Sequence, residues 1–357
     1  MYKRVGSRIL DSRVNPLQPI LWVLRQNEKD IINLYNFLTP FIQLVTKSNM
    51  LNFGYWTDNT KHPVQAQEEL CTLVGKFAEL HSAKIVLDIG SGFSAPAIHW
   101  KKTYNNLDIV CVNTNAQQLS FAAKTIMSSA IVNFSRDYDI KLPTSLVGDN
   151  SSNISATDDN SEGSTTLVNA TATTLPFASH CVDRIIALES AQHFKPLINF
   201  IRASKRILKN DGLFIIAIPV TNAKATTGVI RNTTKSTMHN THTTIQSLIH
   251  FRKLGLLSLT WASEHYELAV VRSMLTNEGF KIKDIQHIGP QVYGPIAEYY
   301  IQNRRVLKDI IMNQKYPQSI TKNILYSLIE NVIYKSALKM MDLSKKRIID
   351  YVLIKAK

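Results

Sequence analysis

The sequence predicts an α/β protein built on a mostly parallel, doubly wound sheet, with helices ahead of it and a helical cap behind. Three observations carry that expectation. Apolar runs of strand length alternate with segments of helical period from residue 84 to residue 219. The first run, Lys84-Ile-Val-Leu-Asp88-Ile, ends in an acid and passes into a glycine turn, Gly90-Ser-Gly92-Phe-Ser-Ala95. Two further strand-like segments, 280–288 and 348–355, have helical sequence between them, as an antiparallel edge would.

Taken in order, residues 1–82 read as an N-terminal helical segment with an aromatic turn. Asp30-Ile-Ile-Asn-Leu-Tyr-Asn-Phe-Leu repeats apolar residues at helical spacing, and Asn52-Phe-Gly-Tyr-Trp56 forms the turn. A second helical stripe follows in Leu70, Leu73, Val74, Phe77 and Leu80. The core, 83–220, then opens with a strand at 84–89. A helix follows at 95–104, with Pro96 in its first turn, where a missing N–H costs nothing. A second strand is expected at 107–112 and a second helix at 116–129. Residues 131–164 are nearly free of apolar side chains in their later part and read as a disordered insertion. It displaces the third strand to 165–169. The fourth strand spans 181–188. The helix at 196–208 faces Leu197, Phe200, Ile201, Ile207 and Leu208 inward and stops at Gly212. The fifth strand, 213–218, is closed by Pro219. Residues 221–357 form the remainder: a poorly patterned Thr/Asn-rich stretch, a helix at 266–278, the two late strands and a long helix at 319–341.

Composition narrows the function classes. Hydrophobic residues make up 45% of the 357, as in a soluble globular chain, and no apolar run approaches the roughly 18 residues of a membrane span. The first residues lack the apolar centre of a signal peptide. Cys71, Cys111 and Cys181 have no CxxC spacing and read as buried free thiols, which suits a reducing, cytoplasmic setting. Net charge is +14, of which about +8 falls after Tyr300. This keeps acidic partners, peripheral membrane contact and nucleic acid in view, although the basic residues are scattered and not interleaved with aromatics. His99, His180, His265 and His287 are single residues without ligand spacing, so no metal site is expected.

The glycine turn is the most informative feature. A tight turn between a buried strand and a helix start brings backbone N–H groups close to a small ligand. Gly90-Ser-Gly92-Phe-Ser-Ala95 fits the dinucleotide pattern, and Asn113 ends the second strand where such folds meet a ribose. Asp88 argues against a dinucleotide: a carboxylate repels a pyrophosphate but attracts a methionyl ammonium.

These features, with four other ordered motifs, resemble the class I S-adenosylmethionine-dependent methyltransferases. Within these the chain looks like the small-molecule group that includes sterol, tocopherol and macrolide-sugar methyltransferases. The motifs are Asn52-Phe-Gly-Tyr-Trp56, Val86-Leu-Asp-Ile-Gly-Ser-Gly-Phe-Ser-Ala-Pro-Ala97, Val112-Asn-Thr-Asn-Ala-Gln-Gln118, Asn169-Ala-Thr-Ala-Thr-Thr-Leu-Pro-Phe177, Ala187-Leu-Glu-Ser-Ala-Gln-His-Phe194 and Leu208-Lys-Asn-Asp-Gly-Leu-Phe214. The resemblance implies a Rossmann-like fold, S-adenosylmethionine as cofactor and methyl transfer to a small organic acceptor. It further implies that Asp88, Gly90, Ser91 and Gly92 hold the methionyl end, that Asn113, Thr114 and Gln118 face the ribose, and that Asn169 and Ala170 frame the adenine. Tyr35 and Tyr55 would contact the ligand or serve as packing aromatics. Ser94 replaces the third glycine usual in the family, and Asn169 replaces the usual acid.

A hydroxyl acceptor needs a base, and His193, just past the fourth strand, is the candidate for that base or for an acceptor-orienting group; Glu189 would shape the pocket floor, bond Tyr55 or a substrate hydroxyl, or cap the following helix. Trp261, Tyr266, Tyr293, Tyr299 and Tyr300 could line a lipophilic acceptor pocket or form the cap's own core. A nucleic-acid methyltransferase is disfavoured because the end of the fourth strand reads Ala-Leu-Glu-Ser where the amino-methylating DNA enzymes carry Asp/Asn-Pro-Pro-aromatic. The same turn would also serve a cofactor-binding module without catalysis or an NAD-linked oxidoreductase. Oligomeric state is not legible.

Overall fold

The computed structural model describes residues 28–129, 163–221, 266–312 and 320–357. The segment before residue 28, most of the expected insertion, the Thr/Asn-rich stretch after 221, Trp261 and His265 lie outside the described residues.

Among the described residues seven strands form one sheet. In chain order they are β1 (Ile85–Ile89), β2 (Asp108–Asn113), β3 (Thr165–Asn169), β4 (Val182–Leu188), β5 (Leu208–Thr221), β6 (Ile282–His287) and β7 (Ile349–Ala356). Their spatial order is β3-β2-β1-β4-β5-β7-β6. The first five are parallel, while β7 pairs antiparallel to both β5 and β6. This is the doubly wound sheet with an antiparallel edge that the alternation of elements predicts. Strand order reverses between β1 and β4, so the crevice outside their carboxyl ends is the place where such sheets bind ligands.

Helices cover both faces. The described helices are α1 (Glu28–Thr46), α2 (Pro63–Phe77), α3 (Ala95–Thr103), α4 (Ala116–Ser129), α5 (Leu197–Ile207), α6 (Leu268–Asn277), α7 (Gly289–Gln302), α8 (Arg304–Met312) and α9 (Ile320–Lys345). The inner strands are buried on both sides, and their successive residues alternate between two cores. Val86, Ile109, Ile186, Ile215 and Leu353 join Leu70, Val74 and Trp100 on one face. Leu87, Val110, Ile185, Ile216 and Ile354 join Phe200, Ile201 and Phe280 on the other. α5 shows why the sequence pattern works: its buried residues are Leu197, Phe200, Ile201, Ser204 and Ile207, spaced to fall on one stripe. Burying a side chain such as Phe200 contributes about 2–3 kcal/mol of transfer free energy. Tyr266, Tyr293 and Tyr300 are buried within these cores, and Tyr299 packs its ring against Trp56. The cap aromatics among the described residues are therefore packing groups.

Two expectations need correction. Gly212 does not stop the preceding helix. The chain leaves α5 at Leu208 in extended geometry (φ −64°, ψ 137°) and enters β5 directly. Pro219 does not close β5, which continues to Thr221. Ala217 O accepts the Glu189 N–H, so Pro219, two residues on, presents its ring nitrogen to the side where β4 has already ended. A missing donor costs nothing there. Helices α7 and α8 had no counterpart in the sequence expectation. Among the described residues no helix is long and apolar enough to cross a membrane.

Candidate active site

The site begins at the end of β1. Gly90 and Gly92 sit at φ +76° and +56°. A Cβ added to Gly90 would lie 2.4 Å from Ser190 Cβ, so both the backbone angle and the neighbour demand glycine there. Ser94 takes the left-handed conformation (φ 55°, ψ 23°) that a third glycine would adopt easily, and it leads into α3. Gly90 and Ser91 both donate to Val112 O, at 2.7 and 3.1 Å. Those two amides are therefore spent on the sheet. Among the described residues the Gly92 and Phe93 amides have no backbone acceptor, and they are the ones left to a ligand.

A cavity opens beside this turn, lined among others by Asp88, Gly90, Ser91, Gly92, Asn113, Thr114, Gln118, Ala170, Glu189 and His193. Asp88 is 2% exposed and its Oδ2 has no partner. Burial pushes its carboxyl up to about 7. Asn113, at the end of β2, donates through Nδ2 to Gln118 Oε1 (2.9 Å) and to Gly92 O (3.1 Å). That leaves Gln118 Nε2 as a buried donor without a partner.

The far wall comes from the end of β4. Glu189 adopts φ +52° and is buried. Its Oε1 accepts from the Phe53 N–H (2.9 Å) and from the Tyr351 hydroxyl (3.0 Å). Burial raises its carboxyl to about 8 against the opposing pull of those two bonds. His193 lies on the short 3-10 turn Ala191–His193. Its Nε2 is 2.8 Å from the Tyr35 hydroxyl, and the two rings meet edge-on with centroids 5.4 Å apart.

Helix α1 covers the cavity. Glu28, Ile31, Ile32 and Tyr35 line it, at the spacing of one helical face. Polar links that fasten this helix include Glu28 to Thr171, Tyr35 to His193 and Asn36 to Asn115.

Most of the residues expected from sequence thus gather around one cavity, and two do not. Asn169 is exposed at the end of β3 and donates its Nδ2 to Asn113 O at 2.8 Å, so it does not line the cavity. The register Asn113↔Asn169 holds it against the neighbouring strand. Tyr55 packs against the core on the α2 side, and Glu189 bonds Tyr351 in its place. Tyr35, expected near the cofactor, is bound to His193. Sequence reasoning missed Ile31, Ile32, Asn49, Leu51, Asn52 and Asn115 in the lining. The α1 residues were visible only as helical period, which does not say whether a face packs on protein or covers a cavity. Among the described residues no group of His, Cys, Asp and Glu could hold a metal.

Comparison with known proteins fits this geometry. Residues 87–216 match the methyltransferase domain model. Over 182 residues the chain is 24% identical to erythromycin 3''-O-methyltransferase of Saccharopolyspora erythraea, a match covering 51% of this chain and 50% of that protein. The chain therefore matches about half the length of this curated relative. Among solved structures it is similar to the cyclopropane synthase MmaA2 from Mycobacterium tuberculosis, with TM-score 0.61, 14% identity, and 88% and 93% of the two chains covered. It is also similar to the [4+2]-cyclase SpnF, with TM-score 0.61, 16% identity, and 93% and 97% covered. At such identities the structures bear on fold alone. The glycine turn and the switch-point cavity both fall within or beside residues 87–216, the stretch that is similar to a methyltransferase domain.

Proposed function

We propose that the protein transfers a methyl group from S-adenosylmethionine to a small organic acceptor, and that the acceptor atom is a hydroxyl oxygen. The observation that carries this reading is that the glycine turn with its unpartnered acid, Asp88, and the candidate base, His193, line one cavity. The residues suit the cofactor. A buried carboxyl without a protein donor matches a methionyl ammonium, the Gly92 and Phe93 amides match a carboxylate, and Gln118 Nε2 matches a ribose oxygen. Asn113, Thr114 and Ala170 complete that side. Bound S-adenosylmethionine supplies an electrophilic methyl group on a sulfonium.

The chain's own residues then have to position the acceptor, exclude water and remove a proton. His193 is assigned the proton-accepting role. Tyr35 holds the imidazole through Nε2, and an acceptor hydroxyl that takes the phenol's place at that nitrogen would meet the base. Glu189, held by Phe53 and Tyr351, keeps the wall behind the turn in place. Ile31, Ile32, Leu51 and Phe194 give the cavity an apolar side, which favours an acceptor with lipophilic parts. The relative from Saccharopolyspora erythraea, named for O-methylation, supports a hydroxyl acceptor.

Calorimetry with S-adenosylhomocysteine tests the cofactor assignment. Transfer of labelled methyl from S-adenosylmethionine to a panel of hydroxylated small molecules tests the reaction. Absence of any binding heat by folded protein would refute both.

A further inference from the structure

Strands β1, β2 and β3 lie side by side, and each brings its own groups to the cavity. On the reading above, the amino-acid end of the cofactor belongs to β1 and the ribose to β2. The purine is then left to the end of β3, where Ala170 and Ala172 line the cavity with apolar side chains. The strand's own polar groups are engaged there. Asn169 turns its Nδ2 to Asn113 O at 2.8 Å, and the Ala170 N–H donates to the same oxygen at 3.3 Å.

The polar group that faces this end comes instead from the covering helix. Glu28, at the start of α1, lines the cavity and accepts from the Thr171 hydroxyl through Oε1. Thr171 is itself held in place. Its Oγ1 lies 3.0 Å from Thr173 Oγ1 and accepts from the Thr173 N–H at 3.3 Å. One oxygen thus tethers Glu28 over the residues that follow β3. The other, Oε2, makes no hydrogen bond among the described residues. A carboxylate can accept and cannot donate. It suits an exocyclic amine on a purine edge and opposes a carbonyl oxygen at the same position. An amide in its place would serve either group, because it carries both a donor and an acceptor.

We propose that Glu28 is a specificity-determining residue that reads the 6-amino group of the cofactor's purine, in place of Asn169 at the end of β3. The inference rests on the reading of the cavity as an S-adenosylmethionine site. It puts recognition of the purine on the helix that also carries Tyr35, so a single helix meets both the cofactor and His193.

The test compares two probes by calorimetry: S-adenosylhomocysteine, and S-inosylhomocysteine, in which a 6-oxo group replaces the 6-amino group. The unaltered protein is expected to prefer the adenosyl probe by about tenfold or more, as for a hydrogen bond to a charged group. Glu28→Gln should bring the two affinities within about twofold of each other. Asn169→Ala should keep the preference. Equal weakening of both probes by Glu28→Gln, with the preference kept, would mean that Glu28 only fastens the helix. No change for either probe would mean that it is idle, and loss of the preference in Asn169→Ala would return the task to the strand. Each of these results overturns the proposal. If Glu28→Gln does not fold, as judged by circular dichroism and melting, Glu28→Ala is read by the same pair of probes, and the preference should again be lost. Should the unaltered protein bind neither probe, the cofactor reading itself fails and the proposal goes with it. Equal binding of both probes by the unaltered protein leaves the cofactor reading intact and removes the proposal alone.

Discussion

Tyr35 and His193, 158 positions apart in the chain, are joined by a 2.8 Å hydrogen bond between the phenol oxygen and Nε2. The bond ties the covering helix to the turn that follows β4. On the proposed reading Tyr35 is a positioning residue for the candidate base.

His193→Ala is expected to lower kcat by about 10²–10⁴-fold, the usual range for a general base. S-adenosylhomocysteine affinity should stay within about twofold, because the imidazole is assigned to the acceptor side. Tyr35→Phe should lower kcat less and shift the pH profile of turnover. Steady-state kinetics with a hydroxylated acceptor, paired with calorimetry, separates the two effects. Undiminished turnover by His193→Ala would reassign the base.

The two buried carboxyls set a pH dependence of stability. Asp88 is held up to about 7 and Glu189 to about 8, both above the ordinary carboxylate range, by burial. Between the unfolded value near 4 and these folded values, the folded protein keeps protons that the unfolded chain has lost. Stability is therefore fully present below about pH 4 on this account and is lost as pH rises through 7 to 8. One pKa unit corresponds to about 1.4 kcal/mol, so the effect is on the order of a few kcal/mol. Melting temperature should fall across this range in ligand-free protein. Asp88→Asn should flatten the dependence, and an unchanged slope in that variant would contradict the assignment.

The same carboxyl makes ligand affinity depend on pH in the opposite sense. An ammonium favours ionised Asp88, so binding below about pH 7 must release a proton. S-adenosylhomocysteine affinity should weaken by roughly tenfold per pH unit below that point. Calorimetry in buffers of different ionisation enthalpy would count the proton, and a pH-independent constant from 6 to 8 would argue against ammonium binding at Asp88.

How much of this was legible in the sequence depends on the range of the interaction. The strands β1 to β5, the turn at Gly90 and the edge strands follow from local periodicity and from glycine and proline positions. The end of α5 was misplaced because Gly212 is a helix stop only by composition, and the chain turns five residues earlier without left-handed geometry. The partner of Glu189 could not be read, since Tyr351 lies 162 positions away on the last strand. Asn169 was legible as the end of a strand but not in its direction, which the pairing with Asn113 decides.

Gly90 and Gly92 should respond differently to alanine. Both have positive φ, which strains an L residue by about 1–2 kcal/mol. At Gly92 an added Cβ would meet only Leu51 Cδ1, at 3.4 Å, an ordinary contact. At Gly90 it would collide with Ser190 Cβ at 2.4 Å, and Ser190 is itself bound to Ile89 O at 2.5 Å. Gly90→Ala is therefore expected to be the more destabilising by urea unfolding, and to impair S-adenosylhomocysteine binding even where the protein folds. Equal midpoints for the two variants would show that the β4 turn yields readily.

The ion pair between Arg304 and Glu330 fixes α8 against α9 and permits a directional prediction. Arg304 Nε and Nη2 donate to the two Glu330 oxygens at 2.7 and 3.0 Å, and the Tyr300 hydroxyl adds a bond at 3.2 Å. The Glu330 side chain is 0% exposed, whereas Arg304 is 31% exposed and lies over the Tyr334 ring. Removing the arginine leaves a carboxylate buried with one phenol. Removing the glutamate leaves a guanidinium that can turn to water. Arg304→Met should therefore be the more destabilising change, and Glu330→Met should cost clearly less. The double variant should recover part of the loss, because neither charge is then stranded. Denaturant midpoints of the four proteins measure this directly. A larger loss from Glu330→Met than from Arg304→Met would mean that the glutamate's packing, and not its charge, holds these helices together.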